Sequence, residues 1–168
     1  PTIKNHVGAS YCAAVLCSMQ TKTDIDAAMY FEADVIKEWC GLFEVTHMAI
    51  ARQKAIVGPL KPFFSFKAFN ALYSAGNEID VCCSNEGLYA CAATSEKNCG
   101  MLLTNYGAEA DELHFSLSNL PNTNVEVRVT DKDKTFEKVL ELCGEENVEF
   151  TLEIEENTVI YIGTPIEQ

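Results

Sequence analysis

The chain has 168 residues, 48% of them hydrophobic and 22% charged, and carries a formal net charge of −13. That length holds one ordinary domain or a small domain with appended elements, and the apolar content excludes a disordered chain. The charge excludes nucleic-acid phosphates and anionic membrane surfaces as expected partners, and no apolar run reaches the ~20 residues that span a bilayer.

The first stretch, "HVGASYCAAVLCSMQ" (6–20), lacks Lys, Arg, Asp and Glu. It predicts a helix with Asn5 as N-cap, covered on most sides because it has no polar stripe. "TKTD" breaks the pattern, and Ile25 to Phe31 predicts a buried strand, apolar on both faces as in a parallel sheet. Residues 36–60 predict mostly loop, with an apolar knot at "WCGLFEV" (39–45) and a turn at "VGP". "KPFFSFKAFNALYSAGN" predicts a helix over 61–75, with Pro62 in the first turn and Gly76 just past the end. Phe63, Phe66, Phe69 and Tyr73 form one stripe on it, and Phe64, Ala68, Ala71, Leu72 and Ala75 an adjoining one. A helix so apolar is expected to be wedged between two bodies.

Composition then steps. Residues 1–77 carry seven Lys/Arg against six Asp/Glu, whereas 78–168 carry five against nineteen. Ten of the sixteen aromatics precede position 78. A boundary is expected near Gly76-Asn77, dividing the chain into 1–77 and 78–168. Beyond it the apolar period becomes two. "DELHFSLS" sets Leu113, Phe115 and Leu117 against His114, Ser116 and Ser118, and "VEVRV" and "VEFTLEIE" alternate likewise. "TVIYIG" follows the "EEN" turn and predicts a hairpin with its predecessor. With "EIDVCC", "LYACAAT" and "CGMLLTNY" there are about seven short strands, which predict an antiparallel sandwich with one wet, acidic face. Residues 134–142 fit a helix through Phe136, Val139 and Leu140, although their neighbours are strands.

The eight cysteines are Cys12, Cys17, Cys40, Cys82, Cys83, Cys91, Cys99 and Cys143. Most stand where a small apolar side chain would, so reduced, structural thiols are expected rather than a disulfide framework, and such thiols favour a cytoplasmic setting. The chain opens on Pro1, as a processed protein or an excised piece would.

Glu32 and Asp34 are the candidate carboxylates. As i and i+2 on one strand they project to the same side, roughly 7 Å apart. A glycosidase needs carboxyls flanking the scissile bond, about 5–5.5 Å apart when retaining and 6.5–9.5 Å when inverting. Two acids on one wall make a poor acid/nucleophile pair, so each is either a substrate-side residue or a structural polar end. Trp39 and Tyr30 have faces on which sugar rings could stack, and Trp39 could equally pack on Leu42 and Phe43. His6, His47 and His114 are scattered without metal-ligand spacing, and Cys12 and Cys17 point roughly 140° apart on a helix, so no metal is expected. Ser10 and Ser65 lie inside apolar helices with no nucleophile elbow, and Gly8 and the "GNEID" turn do not resemble a phosphate cradle.

The succession "IDAAMYFEAD", "WCGLF", "GPLKPFFSFKAFNALYSAG" and "CGMLLTNY" ahead of a β-rich tail resembles the C-terminal portion of family 39-like, β-xylosidase-related glycoside hydrolases. The resemblance implies a mainly β chain with N-terminal helices: an antiparallel β-sandwich preceded by the last helix-strand-helix elements of a (β/α)8 barrel. Residues 5–20 would be the seventh barrel helix, 25–34 the eighth strand and 61–75 the eighth helix. The family's two catalytic glutamates belong to the fourth and seventh strands, ahead of the position of Pro1, so no catalytic residue transfers. What transfers is a substrate-side role for Glu32, and less directly Asp34, at the strand end where barrel enzymes hold their sites. Xylosidase-type members carry a Trp near Tyr30-Phe31 that this chain lacks. A carbohydrate substrate, hydrolysed by the whole enzyme without a cofactor, is implied. The chain alone is expected to be inactive and to self-associate through 1–77. Rival expectations are a stand-alone carbohydrate-binding module and a structural or interaction domain.

Overall fold

Asn5 starts the first helix as its side chain demands: in the computed structural model its Oδ1 accepts the amide of Val7 at 3.0 Å. The structure describes residues 2–21, 25–30, 41–47, 54–83, 85–109, 111–120, 124–143 and 146–166. Helix α1 spans His6–Gln20 and buries Gly8, Ala9, Cys12, Ala13 and Cys17, small residues that allow a close approach to a sheet. A single 3-10 turn at Thr2–Lys4 precedes it. A Cβ on Gly8 would lie 2.1 Å from the Ile3 carbonyl oxygen, so glycine is there for chain crossing. Helix α2 spans Lys61–Ala75, with Pro62 in its first turn. Gly76 ends it at φ +128°, donating to the Leu72 carbonyl, a conformation open mainly to glycine.

Among the described residues ten strands accompany the two helices, two of them between α1 and α2 and the rest after α2. They are β1 (Phe43–His47), β2 (Lys54–Pro59), β3 (Asn77–Ile79), β4 (Leu88–Thr94), β5 (Cys99–Asn105), β6 (Asp111–Leu117), β7 (Val125–Thr130), β8 (Glu137–Leu142), β9 (Val148–Ile154) and β10 (Thr158–Gly163). The central sheet runs β3-β4-β5-β10-β7-β8, antiparallel throughout; β6 and β9 form a second sheet and β1 and β2 a third.

The central sheet is covered on both faces. Against one lie α1 and α2, in a core joining Ala9, Ala13, Cys17 and Leu72 to Cys91, Leu102 and Tyr161. Against the other lies the β6–β9 pair, in a core joining Phe115 and Ile154 to Val127, Leu103 and Ile160. The period of two sorts side chains between them: along β10, Val159 and Tyr161 face the helices while Ile160 and Ile162 face the second sheet. All six residues of β10 are consequently buried. The outer face of β6–β9 is the wet, acidic one, with Glu112 opposite Glu153 and Ser116 opposite Glu149, all exposed. The mainly β architecture with N-terminal helices and an antiparallel sandwich is therefore as expected.

Three local expectations are corrected and one open alternative, helix or strand over 134–142, is decided. Residues 25–30 take no regular structure instead of opening a buried strand; Ile25 to Met29 are exposed, Met29 at 95%. A strand exists only where another backbone completes its ladder, and among the described residues none pairs with this segment. The stretch 36–60, expected as loop, contains the β1–β2 hairpin. Strands β9 and β10 do not form a hairpin: β9 pairs with β6, whereas β10 pairs with β5 and β7, and the turn at Asn157 (φ 63°) carries the chain from one sheet to the other. Residues 137–142 are strand β8 rather than helix. Phe136 stands outside that strand at φ 53°, with its ring stacked on Phe64 of α2 at 5.3 Å.

Candidate functional site

The site expected from the sequence lies where the 25–30 segment ends and the excursion back to α2 begins. Tyr30 is half-buried, with its ring edge-on to Phe66 of α2 at 5.1 Å between centroids. Glu32, Asp34 and Trp39 lie outside the described residues. Of the four candidates the structure therefore positions Tyr30 alone, against the aromatic stripe of α2.

The returning half of the excursion is anchored at the start of the same helix. Leu60 donates its amide to the Leu42 carbonyl at 2.8 Å, closing the base of the β1–β2 hairpin. The Phe43 ring lies 5.0 Å from that of Phe63, and Phe63 lies edge-on to Phe64 at 5.3 Å. Phe64 continues through Phe136 to Tyr161 in the central sheet. An aromatic chain thus links the hairpin, the start of α2 and the sheet, and offset or edge-on ring pairs of this kind favour a fixed geometry. Lys61 adds a polar hook, donating to the Asp131 carbonyl and, at 2.9 Å, to the Lys132 carbonyl in the β7–β8 turn. Phe63 and Phe66 are recognisable in the sequence as a packing stripe, whereas the β1–β2 hairpin is not. Its signal was the alternation in "FEVTH" and "KAIVGP", weak beside the glycine and proline that break it.

The two serines set aside as nucleophiles have structural partners. Ser10 Oγ donates to the Asn105 carbonyl at 2.8 Å and lies 2.8 Å from Thr104 Oγ1, tying α1 to β5. Ser65 Oγ donates to the Ala9 carbonyl at 2.8 Å, tying α2 to α1. Among the described residues no cluster of His, Cys, Asp or Glu is arranged to hold a metal ion. A cleft of about 560 Å³ opens between α2 and the β3–β4 edge, lined by Phe66, Phe69 and Tyr73, where Gln20 donates to Glu78 at 2.6 Å.

No family model and no curated protein matches the chain. Solved structures do match in fold. A glucosidase from Croceicoccus marinus superimposes with a TM-score of 0.74 at 15% identity, over 96% of this chain and 42% of the other. A GH30 endoxylanase from Clostridium papyrosolvens C71 gives 0.65 at 11% identity, over 97% and 39%. A GH39 β-xylosidase from Caulobacter crescentus gives 0.60 at 16% identity, over 96% and 40%. The chain spans about two fifths of the length of each of these structures. The fold is thus that of a portion of GH30- and GH39-type glycoside hydrolases, in agreement with the C-terminal family 39-like resemblance carried by the motifs.

Proposed function

We propose that the chain is the C-terminal portion of a glycoside hydrolase, in which it completes the barrel and supplies the sandwich that braces it. Residues 1–77 are the closing barrel elements and 78–168 the sandwich domain. The activity, hydrolysis of a glycosidic bond in a carbohydrate, belongs to the whole enzyme, whose two catalytic carboxylates lie on barrel strands outside this chain. The observation that carries the reading is the extent of the likeness: nearly the whole chain superimposes on about two fifths of a glucosidase at a TM-score of 0.74.

The most exposed of the large apolar residues support this division. Among the described residues Tyr11 (54% exposed), Met29 (95%) and Tyr73 (89%) lie within 1–77, in surface of the kind that neighbouring barrel elements would cover, whereas Ile79 and Val139 in 78–168 are less exposed. Without such a cover the isolated chain self-associates through that surface. Tyr30, Glu32, Asp34 and Trp39 are the residues assigned to the substrate side, Glu32 by the place that the family resemblance implies for it in the complete barrel and the aromatics by their capacity to stack on sugar.

The test is an assay of the complete reading frame containing this chain on aryl β-glucosides and β-xylosides. The complete protein is expected to hydrolyse at least one, and the chain alone neither. In the complete protein Glu32→Ala is expected to lower kcat/KM roughly 10–100-fold, the scale for losing one charge-assisted hydrogen bond to substrate. Hydrolysis by the isolated chain, or no glycosidase activity in the complete protein, would remove the proposal. Self-association is read separately, as a mass above the monomer in light scattering that falls when Met29 and Tyr73 are changed to Ser.

A further inference from the structure

Two buried thiols meet across the interface between the helices and the central sheet. Cys17 of α1 and Cys91 of β4 are 74 residues apart in sequence, and their Sγ atoms lie 3.4 Å apart. They are 1% and 3% exposed and sit in the same core as Ala13, Leu72, Leu102 and Tyr161. Cys17 Sγ also reaches the Leu102 carbonyl at 3.7 Å. Cys12 and Cys17 are both buried on α1, but their directions diverge; Cys82, Cys83 and Cys143 are exposed and Cys99 half-buried. Of the seven free cysteines described, Cys17 and Cys91 are the two placed sulfur to sulfur.

We propose that Cys17 and Cys91 are a redox-sensitive tie, able to close into an intrachain disulfide that fastens the helical layer to the central sheet. The contact joins two elements far apart in sequence, so closing it would shrink the unfolded ensemble without bringing new surfaces together. With the sulfurs already in contact, side-chain rotation supplies most of the movement. The inference stands on this geometry and is independent of the glycosidase reading.

The oxidant is a low-molecular-weight disulfide. One protein thiolate attacks a sulfur of the reagent, forming a mixed disulfide and expelling one small thiol. The second thiolate then attacks the protein sulfur of that mixed disulfide and expels the other small thiol. Two protein thiols and one reagent disulfide become one protein disulfide and two small thiols, which take up the two protons. The setting makes this slow. The hydrogen bond with Cys91 and then burial hold the Cys17 thiol far above the ordinary cysteine range, and burial pushes Cys12 up to about 11. Thiolate forms, and reagent enters, when α1 lifts from the sheet, so oxidation reports on that opening.

The experiment uses the full chain with Cys40, Cys82, Cys83, Cys99 and Cys143 changed to Ser, incubated with oxidised glutathione and mapped by non-reducing peptide mass spectrometry. The expected result is a linked peptide pair containing Cys17 and Cys91, two hydrogens lighter than the sum. A rise in Tm of about 5 °C or more, reversed by dithiothreitol and absent in Cys17→Ala, should accompany it. Stable glutathione adducts on Cys17 or Cys91 without the link would overturn the proposal, as would a link that lowers Tm. So would both thiols staying reduced in a folded chain exposed to oxidant for many times the exchange lifetime of α1 amides. Where the multiple variant fails to fold, the unmodified chain is mapped in the same way and the Cys17–Cys91 peptide pair alone decides.

Discussion

Strand β10 and the segment 25–30 begin from similar sequences and end differently. "TVIYIG" and "IDAAMY" are both short apolar runs with little polar relief. The first becomes the middle of a sheet, paired with β5 on one side and β7 on the other and buried along its whole length. Among the described residues the second has no ladder partner, and it leaves five consecutive residues exposed. A two-sided apolar run specifies that a strand will be buried if neighbours exist; it does not supply them. The backbone amides and carbonyls of β10 are satisfied by chain that lies within these 168 residues, and on the glycosidase reading those for 25–30 lie outside them.

Truncation sharpens the contrast most. Ile160 is fully buried and points from β10 into the sandwich core, so Ile160→Ala is expected to cost about 2–5 kcal/mol of unfolding free energy. Met29→Ala, at the other pole of the comparison, is expected to change stability by less than about 0.5 kcal/mol. Urea melts of the two variants measure both. A cost at Met29 comparable with that at Ile160 would mean that the segment is covered in solution, by a second copy or by an alternative packing. The same pair repeated in the complete reading frame should show the Met29 cost rising toward that of a core residue.

An intermediate effect belongs to the polar ties that hold the helices on the sheet. Ser10→Ala removes the hydrogen bond to the Asn105 carbonyl, an oxygen that also accepts the Asn157 amide, together with the contact to Thr104 Oγ1. The expected cost is about 1 kcal/mol, with amide exchange accelerated in α1 more than in β7. Equal acceleration in both would show that α1 does not open as a separate unit, and would also bear on how an oxidant reaches Cys17.

The sandwich was legible because a period of two needs only a few residues to declare itself. Leu113, Phe115 and Leu117 against His114 and Ser116 placed β6 and its wet face correctly. Val125, Val127 and Val129 placed the core face of β7, but its other face is not wet: Glu126 is buried there and paired with Arg128 at 2.6 Å. Pairing was less legible. Strands β9 and β10 are joined by a tight turn and read as a hairpin, yet β9 has a polar face and β10 has none, so they suit different layers. Phe136 leaves 134–142 ambiguous in sequence because it belongs to neither a helix nor the strand period. It leaves the strand to stack on Phe64, and its amide is taken by Thr130 Oγ1 at 2.9 Å. The candidate site was the least legible part. On the glycosidase reading Glu32 and Asp34, which lie outside the described residues, would draw their function from residues far away in sequence, and one-dimensional spacing cannot show where those come to lie.

The smallest expected effect concerns the turn that receives α2. Asp131 sits between β7 and β8, in the turn whose carbonyls accept Lys61, and its carboxylate caps that turn by accepting the amides of Asp133 at 2.8 Å and Lys134 at 2.6 Å. Partial burial alone would push its pKa up. The hydrogen bonds from the Lys134 side chain and from the two amides outweigh burial and hold the carboxyl below its ordinary value. A group lowered in the folded state binds its proton more readily when unfolded. Its contribution to stability is therefore present above the unfolded pKa, near 3.9, and disappears as pH falls through the lower folded value. Asp131→Asn is expected to lower the neutral plateau slightly and to flatten the acid-side slope, so that the variant and parent profiles converge as pH falls through the folded value. Because Lys61 docks on this turn's carbonyls, the same variant should leave the β10 core untouched and loosen the start of α2 alone, which amide exchange at Phe63 and Phe64 would register as faster than in the parent chain near pH 7, with the difference shrinking as the parent carboxyl takes up its proton in acid.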